Sequence, residues 1–127
     1  MKISLDDFKQ MMLFDVVKRN ACIEIEFCIE GSDEYTSCWL GKTIDRNTSR
    51  EVYWFGLTPD GLQAYDFETL EIFLNAEVFE GQSLGEKWEL VNVYSIDGCN
   101  VKERLLFYLG LKDGPIRGPA QPVRINK

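Results

Sequence analysis

Residues 21–30 alternate between apolar and polar side chains more regularly than any other part of the chain. The apolar set falls on every second position: Ala21, Ile23, Ile25, Phe27 and Ile29. Glutamates and cysteines fill the positions between them. Successive side chains of a strand point to opposite faces, so this pattern predicts a β-strand with one buried and one wet face. Such strands are typical of antiparallel sheets that are covered on one side.

A second strong pattern spans residues 51–67. An apolar run, Val52-Tyr53-Trp54-Phe55, is followed by Thr58-Pro59-Asp60-Gly61 and by a second apolar segment that ends at Phe67. Pro59 presets the φ angle that a turn needs, and Gly61 tolerates positive φ, so the pattern predicts a hairpin. With a further strand predicted over residues 35–42, these segments form a four-stranded meander.

Short helical patterns flank the strands. Helices are predicted over residues 4–13, after Asp66, after Ser83 and from Asn100 to Gly110, and residues 91–96 predict one more strand. Ser83 and Glu86 have the spacing of a capping box. The order predicts an α+β fold: a mostly antiparallel sheet of four to five strands, built on a β-meander, with about four short helices packed on one face.

The composition changes after residue 110. Residues 1–110 read as a single α+β domain, and residues 111–127 as a Pro/Gly-rich basic C-terminal tail. The tail holds three prolines and four bases, Pro115, Pro119, Pro122, Lys112, Arg117, Arg124 and Lys127. Such a composition favours an extended segment.

The overall charge restricts the partners. A formal charge of −7 makes nucleic acids and anionic membranes poor partners, because both need clustered Lys and Arg. No secretory signal and no apolar run of membrane-spanning length is visible, so the expected location is the cytoplasm. Cys22 and Cys28 would lie roughly 20 Å apart on one strand, too far for a disulfide. Free thiols suit a reducing compartment.

Acidic residues concentrate between positions 51 and 101. This segment contains ten carboxylates and one lysine, which give it a formal charge of −9. One interpretation is a surface that binds a basic protein partner, and the other is a solvated face that keeps the protein soluble. A third is that the basic tail folds over the acidic body, in cis or on a neighbouring subunit. The candidate partner-binding residues are Asp60, Glu68, Glu71, Glu77, Glu80, Glu86 and Glu89.

The evidence for an enzyme is weak. The chain has no histidine, which excludes Ser-His and Cys-His catalysis and most zinc sites. Cys99 is a candidate reactive thiol because it precedes a predicted helix, although a small buried side chain explains it as well. Glu24, Glu26 and Glu30 share a strand face, where they can bind a hard cation, act as an acid–base pair or simply face water. No cofactor-binding motif appears, so no cofactor and no metal site are expected.

Aromatic residues offer a different candidate site. Trp39, Trp54 and Tyr65 are interpreted as a possible pocket or interface, with core packing as the alternative. Neighbouring residues of a strand point in opposite directions, so some of Tyr53, Trp54 and Phe55 must lie on the face away from the core. That face would need helices, a partner or a second subunit to cover it.

In size, charge and fold class the chain resembles the small acidic immunity proteins that neutralise basic nuclease toxins in bacteria. The resemblance implies a noncatalytic inhibitor of a basic partner. Two alternatives remain: a small-molecule-binding domain or enzyme with an aromatic pocket, and a homo-oligomeric structural module.

Overall fold

The computed structural model describes residues 1–110, and the predicted tail lies outside the described residues. Five strands form one sheet: β1 Ile23–Ile29, β2 Cys38–Asp45, β3 Arg50–Gly56, β4 Ala64–Phe67 and β5 Val91–Ile96. Five helices accompany them: α1 Leu5–Met12, α2 Val16–Arg19, α3 Leu70–Asn75, α4 Leu84–Lys87 and α5 Val101–Leu109. A 3₁₀ turn, Trp88–Leu90, connects α4 to β5. The predicted α+β class is confirmed.

The sheet is antiparallel throughout, in the order β4-β3-β2-β1-β5. The first four strands form the predicted meander, and β5 returns to pair with β1. The register between β1 and β5 shifts between Glu26 and Phe27, where β5 carries one residue more than its partner. A bulge of this kind lets neighbouring residues of the longer strand point to one side.

All five helices bury side chains on one face of the sheet, called here the core face. Phe55 of β3 lies at the centre of an aromatic cluster, with its ring stacked on Phe73 at 4.2 Å. Phe79 meets the same ring edge-on at 5.6 Å, and Trp88 lies against Phe8 with a centroid distance of 4.5 Å. Rings packed in this way contribute beyond their buried area.

Lys42 is a charged residue inside this core and is only 1% exposed. Its Nζ donates to the carbonyl oxygens of Met12 at 2.8 Å and Phe14 at 2.7 Å. It also lies 3.1 Å from a carboxylate oxygen of Glu51. The last carbonyls of a helix have no intrahelical donor, and the Lys42 amine supplies donors at the C-terminal end of α1. Burial lowers the pKa of Lys42, and the hydrogen bond with Glu51 opposes that effect.

Three of the predicted helix starts are confirmed, and one is wrong. Ser4 caps α1, Asn100 caps α5, and Ser83 and Glu86 form the predicted capping box. The prediction that Asp66 caps the next helix is wrong, because Asp66 lies in β4 opposite Trp54. Thr69 caps α3 instead, three residues later. The strand predicted over residues 35–42 lies further along the chain, as β2.

Candidate functional site

The seven predicted partner-binding carboxylates are all exposed, but two of them have local structural roles. Asp60 accepts hydrogen bonds from the Thr58 hydroxyl at 2.7 Å and from the Leu62 amide at 2.9 Å. Those bonds, led by the one from Thr58, lower the pKa of Asp60. Glu86 accepts from the Ser83 amide at 2.9 Å in the capping box. Both carboxylates therefore shape a turn or a helix start.

The other five candidates, Glu68, Glu71, Glu77, Glu80 and Glu89, form no ion pair with any residue of the described chain. They do not share one cleft. Glu71 borders an apolar groove between α1, α3 and α4, and Glu68 lies in a separate cleft beside the β2–β3 turn. The predicted acidic residues therefore do not form one continuous surface, because they lie in different clefts.

One cleft gathers carboxylates from two distant segments and is called here the acidic cleft. It has a volume of about 620 Å³ and is lined by the β1–β2 connection, by Glu80, and by Lys87 and Leu90. Its acidic side chains are Glu30, Asp33, Glu34 and Glu80, and Lys87 is the base among its lining residues. The fields of neighbouring carboxylates add, so the cleft attracts cations.

Hydrogen bonds fix two of these carboxylates in place. Lys2 donates to Glu30 at 2.9 Å, and Gln63 donates to Glu34 at 2.6 Å. Asp33 and Glu80 form no ion pair within residues 1–110. These two carboxylates are available to form ion pairs with basic groups of a partner.

Glu80 reaches the cleft from a tight turn. Phe79 and Gln82 bond to each other across the turn, and Glu80 adopts a left-handed φ of 55°. This conformation is unfavourable for a residue with a Cβ. Buried Tyr35 packs edge-on against Phe79 of this turn, with the ring centroids 5.2 Å apart. Burial raises the pKa of Tyr35, and the charges of Glu34 and Glu80 raise it further.

Sequence reasoning missed three members of the acidic cleft. Glu30 was considered only in the row of glutamates on one strand face, and Asp33 and Glu34 were not considered as binding residues. They precede the acidic 51–101 segment, so a local charge count along the chain does not find them. The hydroxyl of buried Tyr35 donates to the Gln63 side chain at 3.2 Å. This bond holds the β1–β2 connection against the β3–β4 connection.

The three aromatic candidates separate onto the two faces of the sheet. Trp39 pairs with Gly56, and Trp54 pairs with Gly41 and Asp66, on the side away from the helices. This side is called here the open face. Tyr65 pairs with buried Phe55 and so lies on the core side, at the edge of the sheet. The three rings therefore do not line one common pocket.

Tyr94 joins the tryptophans on the open face, and sequence reasoning did not single it out. The β5 bulge places it beside Glu26, and its hydroxyl reaches the Thr36 carbonyl at 3.5 Å. A hydrogen bond with the Cys28 thiol is the main reason that the pKa of Tyr94 is raised. The side chain is 49% exposed, and Trp39 is 38% exposed.

No protein-family model, no curated protein sequence and no solved structure matches this chain. What it does must therefore be inferred from its own side chains and surfaces. Over the described residues, no helix is long and apolar enough to span a bilayer.

The remaining sequence candidates are Cys99 and the row of strand glutamates. Cys99 is exposed, and its thiol contacts the Asp97 carbonyl oxygen at 3.6 Å. The nearby Asp97 carboxylate already accepts hydrogen bonds from Arg104 and Tyr108. Glu24 and Glu26 lie on the open face. Within residues 1–110, no group of three or more acidic or cysteine side chains is placed to hold a metal ion.

Proposed function

We infer that this protein is a noncatalytic binding protein whose acidic cleft docks a basic protein. One observation carries the proposal: four carboxylates from two separate chain segments line one cleft, and Lys87 is the one base among its lining residues. Complementary charge raises the association rate and selects against acidic competitors. Such a role fits the resemblance to acidic immunity proteins, which neutralise basic nuclease toxins.

The cleft is partly preorganised for this role. Glu30 and Glu34 are held by their hydrogen bonds to Lys2 and Gln63, so a partner loses less conformational entropy in ordering them. Asp33 and Glu80 are exposed and are the carboxylates for Arg or Lys of the partner. Exposed ion pairs contribute at most about 1 kcal/mol each, so the cleft mainly directs encounter and orientation.

The cytoplasm is the proposed location. The four cysteines form no disulfide, and unpaired thiols persist where the environment is reducing. Cys38 is fully buried, and burial raises its pKa to about 12, so its thiol stays protonated and inert at neutral pH.

The test is a binding measurement with charge-reversed cleft residues. A basic protein captured from host lysate at low salt is purified, and its affinity is measured at about 0.05 M and about 0.5 M salt. We expect the affinity of the wild-type chain to fall with salt. The Asp33→Lys/Glu80→Lys double variant should bind about tenfold or more weakly and show a shallower salt dependence.

The matched control is Asp6→Lys/Glu103→Lys, which makes the same change in charge at residues that do not line the cleft. It should retain most of the wild-type affinity. Equal affinity of the wild-type chain and the cleft variant, or the absence of any basic protein bound at low salt, would overturn the proposal.

A further inference from the structure

The open face presents aromatic side chains that no described element covers. Trp39 and Tyr94 are 38% and 49% exposed, although tryptophan and tyrosine bury large areas in cores and interfaces. Tryptophan, tyrosine and arginine dominate the binding energy of protein interfaces. An uncovered aromatic patch in the middle of a sheet is therefore the place to look for a binding surface.

The position of Trp54 on this face is fixed by the backbone beneath it. A Cβ built on Gly41 would lie 2.7 Å from the Trp54 ring and 2.1 Å from the carbonyl oxygen of Ile23. The indole therefore lies across β2 in the space that a side chain at position 41 would fill. A ring held in this way loses little conformational entropy when a partner binds.

Carboxylates surround the aromatic patch. Glu26 lies directly opposite Trp39, Glu24 opposite Gly41, and Asp66 opposite Trp54. None of these three forms an ion pair with another described residue. At the far end of the strands, Asp45 and Arg50 oppose each other. The open face is thus aromatic in its middle and negatively charged around it.

We propose that the open face binds an arginine-bearing segment of the basic partner. This inference rests on the proposed function for the basic character of that partner. Guanidinium groups stack on the exposed rings of Trp39 and Tyr94 and pair with Glu24 and Glu26. A planar cation is attracted to an aromatic face, and a nearby carboxylate accepts its N–H groups bidentately.

The same charges disfavour a second copy of the sheet as the occupant. In a two-fold dimer through this face, Glu24, Glu26 and Asp66 would meet the same residues of the partner copy. Like charges placed together at an interface oppose association. Charge complementarity therefore favours a cationic partner.

The three tryptophans allow a direct test by ¹H–¹⁵N spectra of the indole groups in the full chain. Trp39 and Trp54 report on the open face, and Trp88, whose Nε1 donates to the Ile3 carbonyl at 2.8 Å, reports on the core. The probe is a synthetic peptide with arginine at alternate positions and small polar residues between them. The control peptide carries glutamine in place of arginine.

We expect the arginine peptide to shift the Trp39 and Trp54 signals, to leave Trp88 unchanged, and to saturate below about 1 mM. The glutamine peptide should cause no shift. Trp39→Ala/Tyr94→Ala should weaken binding about tenfold or more, and Trp39→Phe should retain part of it. Tyr65→Ala removes an aromatic ring from the other side of the sheet and is the matched control.

Several results would overturn the inference. These are the absence of saturable shifts, equal responses to both peptides, or equal weakening by Tyr65→Ala. Trp39 shifts that grow with protein concentration and slow diffusion would assign the face to a second copy. Trp39 shifts that change with salt in the absence of any peptide would assign it to the chain's own basic residues beyond position 110.

The purified basic partner separates this inference from the proposed function. If only the Asp33→Lys/Glu80→Lys variant loses affinity for that partner, docking through the cleft stands and the inference about the open face fails. If only Trp39→Ala/Tyr94→Ala loses affinity, the cleft proposal fails and the open face is the binding surface. If neither variant loses affinity, both are wrong.

Discussion

The core face and the open face both carry large aromatic side chains, but within residues 1–110 helices cover only the core face. Phe55 and Trp54 are neighbours in β3 and show the contrast. Phe55 is 1% exposed and stacks on Phe73 of α3. Trp54 is half-buried and lies over Gly41. Two adjacent aromatic residues thus serve a packed core and an accessible surface.

The comparison shows that hydrophobicity alone does not determine which aromatic residue is in the core. Alternation in a strand divides residues between two faces, and the helices then decide which face is closed. The carboxylates on the open face show that this face is exposed to solvent. On the core face, the charged side chain of Lys42 is buried, and it bonds to carbonyls at the end of α1 and pairs with Glu51.

Truncating one aromatic side chain on each face should give the largest difference in the free energy of unfolding. Phe55→Ala should lower the free energy of unfolding by about 3–5 kcal/mol, because it removes a fully buried ring. Trp39→Ala on the open face should cost about 1 kcal/mol or less. Urea denaturation measures both. A loss for Trp39→Ala as large as that for Phe55→Ala would mean that the open face is packed.

The next prediction concerns two glycines of the open face. Gly41→Ala should destabilise the fold by about 3 kcal/mol, because its Cβ would meet backbone at 2.1 Å and expel Trp54. Gly56→Ala is the matched control, since its Cβ would meet the Trp54 ring at 4.0 Å. It should be neutral or slightly stabilising. Denaturation and tryptophan emission report on both variants, and equal effects would contradict the placement of Trp54.

A smaller effect is expected from the charge within the core face. Lys42→Met keeps the bulk of the side chain but removes the amine that donates to the Met12 and Phe14 carbonyls and pairs with Glu51, at a cost of about 2 kcal/mol. Lys87→Met, which removes the amine of a half-buried lysine that forms no ion pair with a described residue, should change stability little. Thermal unfolding tests the difference, and a stability of Lys42→Met equal to wild type would contradict the structural role of the amine.

The last prediction is a pH dependence that originates in the core. Burial raises the pKa of Cys38 from 9.0 to about 12. The folded state then holds a proton that the unfolded state releases, so the stability from Cys38 is complete below pH 9.0 and is lost as the pH rises to about 12. Buried Tyr35 and Tyr53, whose pKa values are also raised, act in the same direction.

Lys42 opposes this trend, because its lowered pKa makes the folded state release its proton first as the pH rises. Cys38→Ala isolates the thiol: its stability should fall less steeply above pH 9 than that of wild type. Val91→Ala, which removes buried volume without a titrating group, should keep the wild-type slope. Identical slopes for all three chains would contradict the assignment to Cys38.

The parts of the fold that the sequence predicts are those that depend on local patterns. The alternation in β1, the hairpin at Pro59 and the capping box at Ser83 depend on neighbouring residues, and the structure confirms each of them. The start of α3 was misplaced because Asp66 and Thr69 are both good caps. The pairing of Asp66 with Trp54, a tertiary contact, keeps Asp66 in the sheet.

The candidate sites depended more on contacts between distant segments. The acidic cleft forms because the β1–β2 connection lies against the turn that holds Glu80, and no local charge count reveals that proximity. Alternation predicted that one aromatic of β3 faces away from the core. The β5 bulge, which adds Tyr94 to the same patch, has no clear signal in the sequence.

The accessibility of the open face is tested most directly by adding a soluble paramagnetic agent to the full chain and recording the indole signals. Accessible protons lose intensity, and buried ones keep it. The structure predicts strong loss for Trp39, weaker loss for half-buried Trp54 and protection for Trp88. Protection of Trp39 equal to that of Trp88 would show that the face is covered and would contradict its role as a free binding surface.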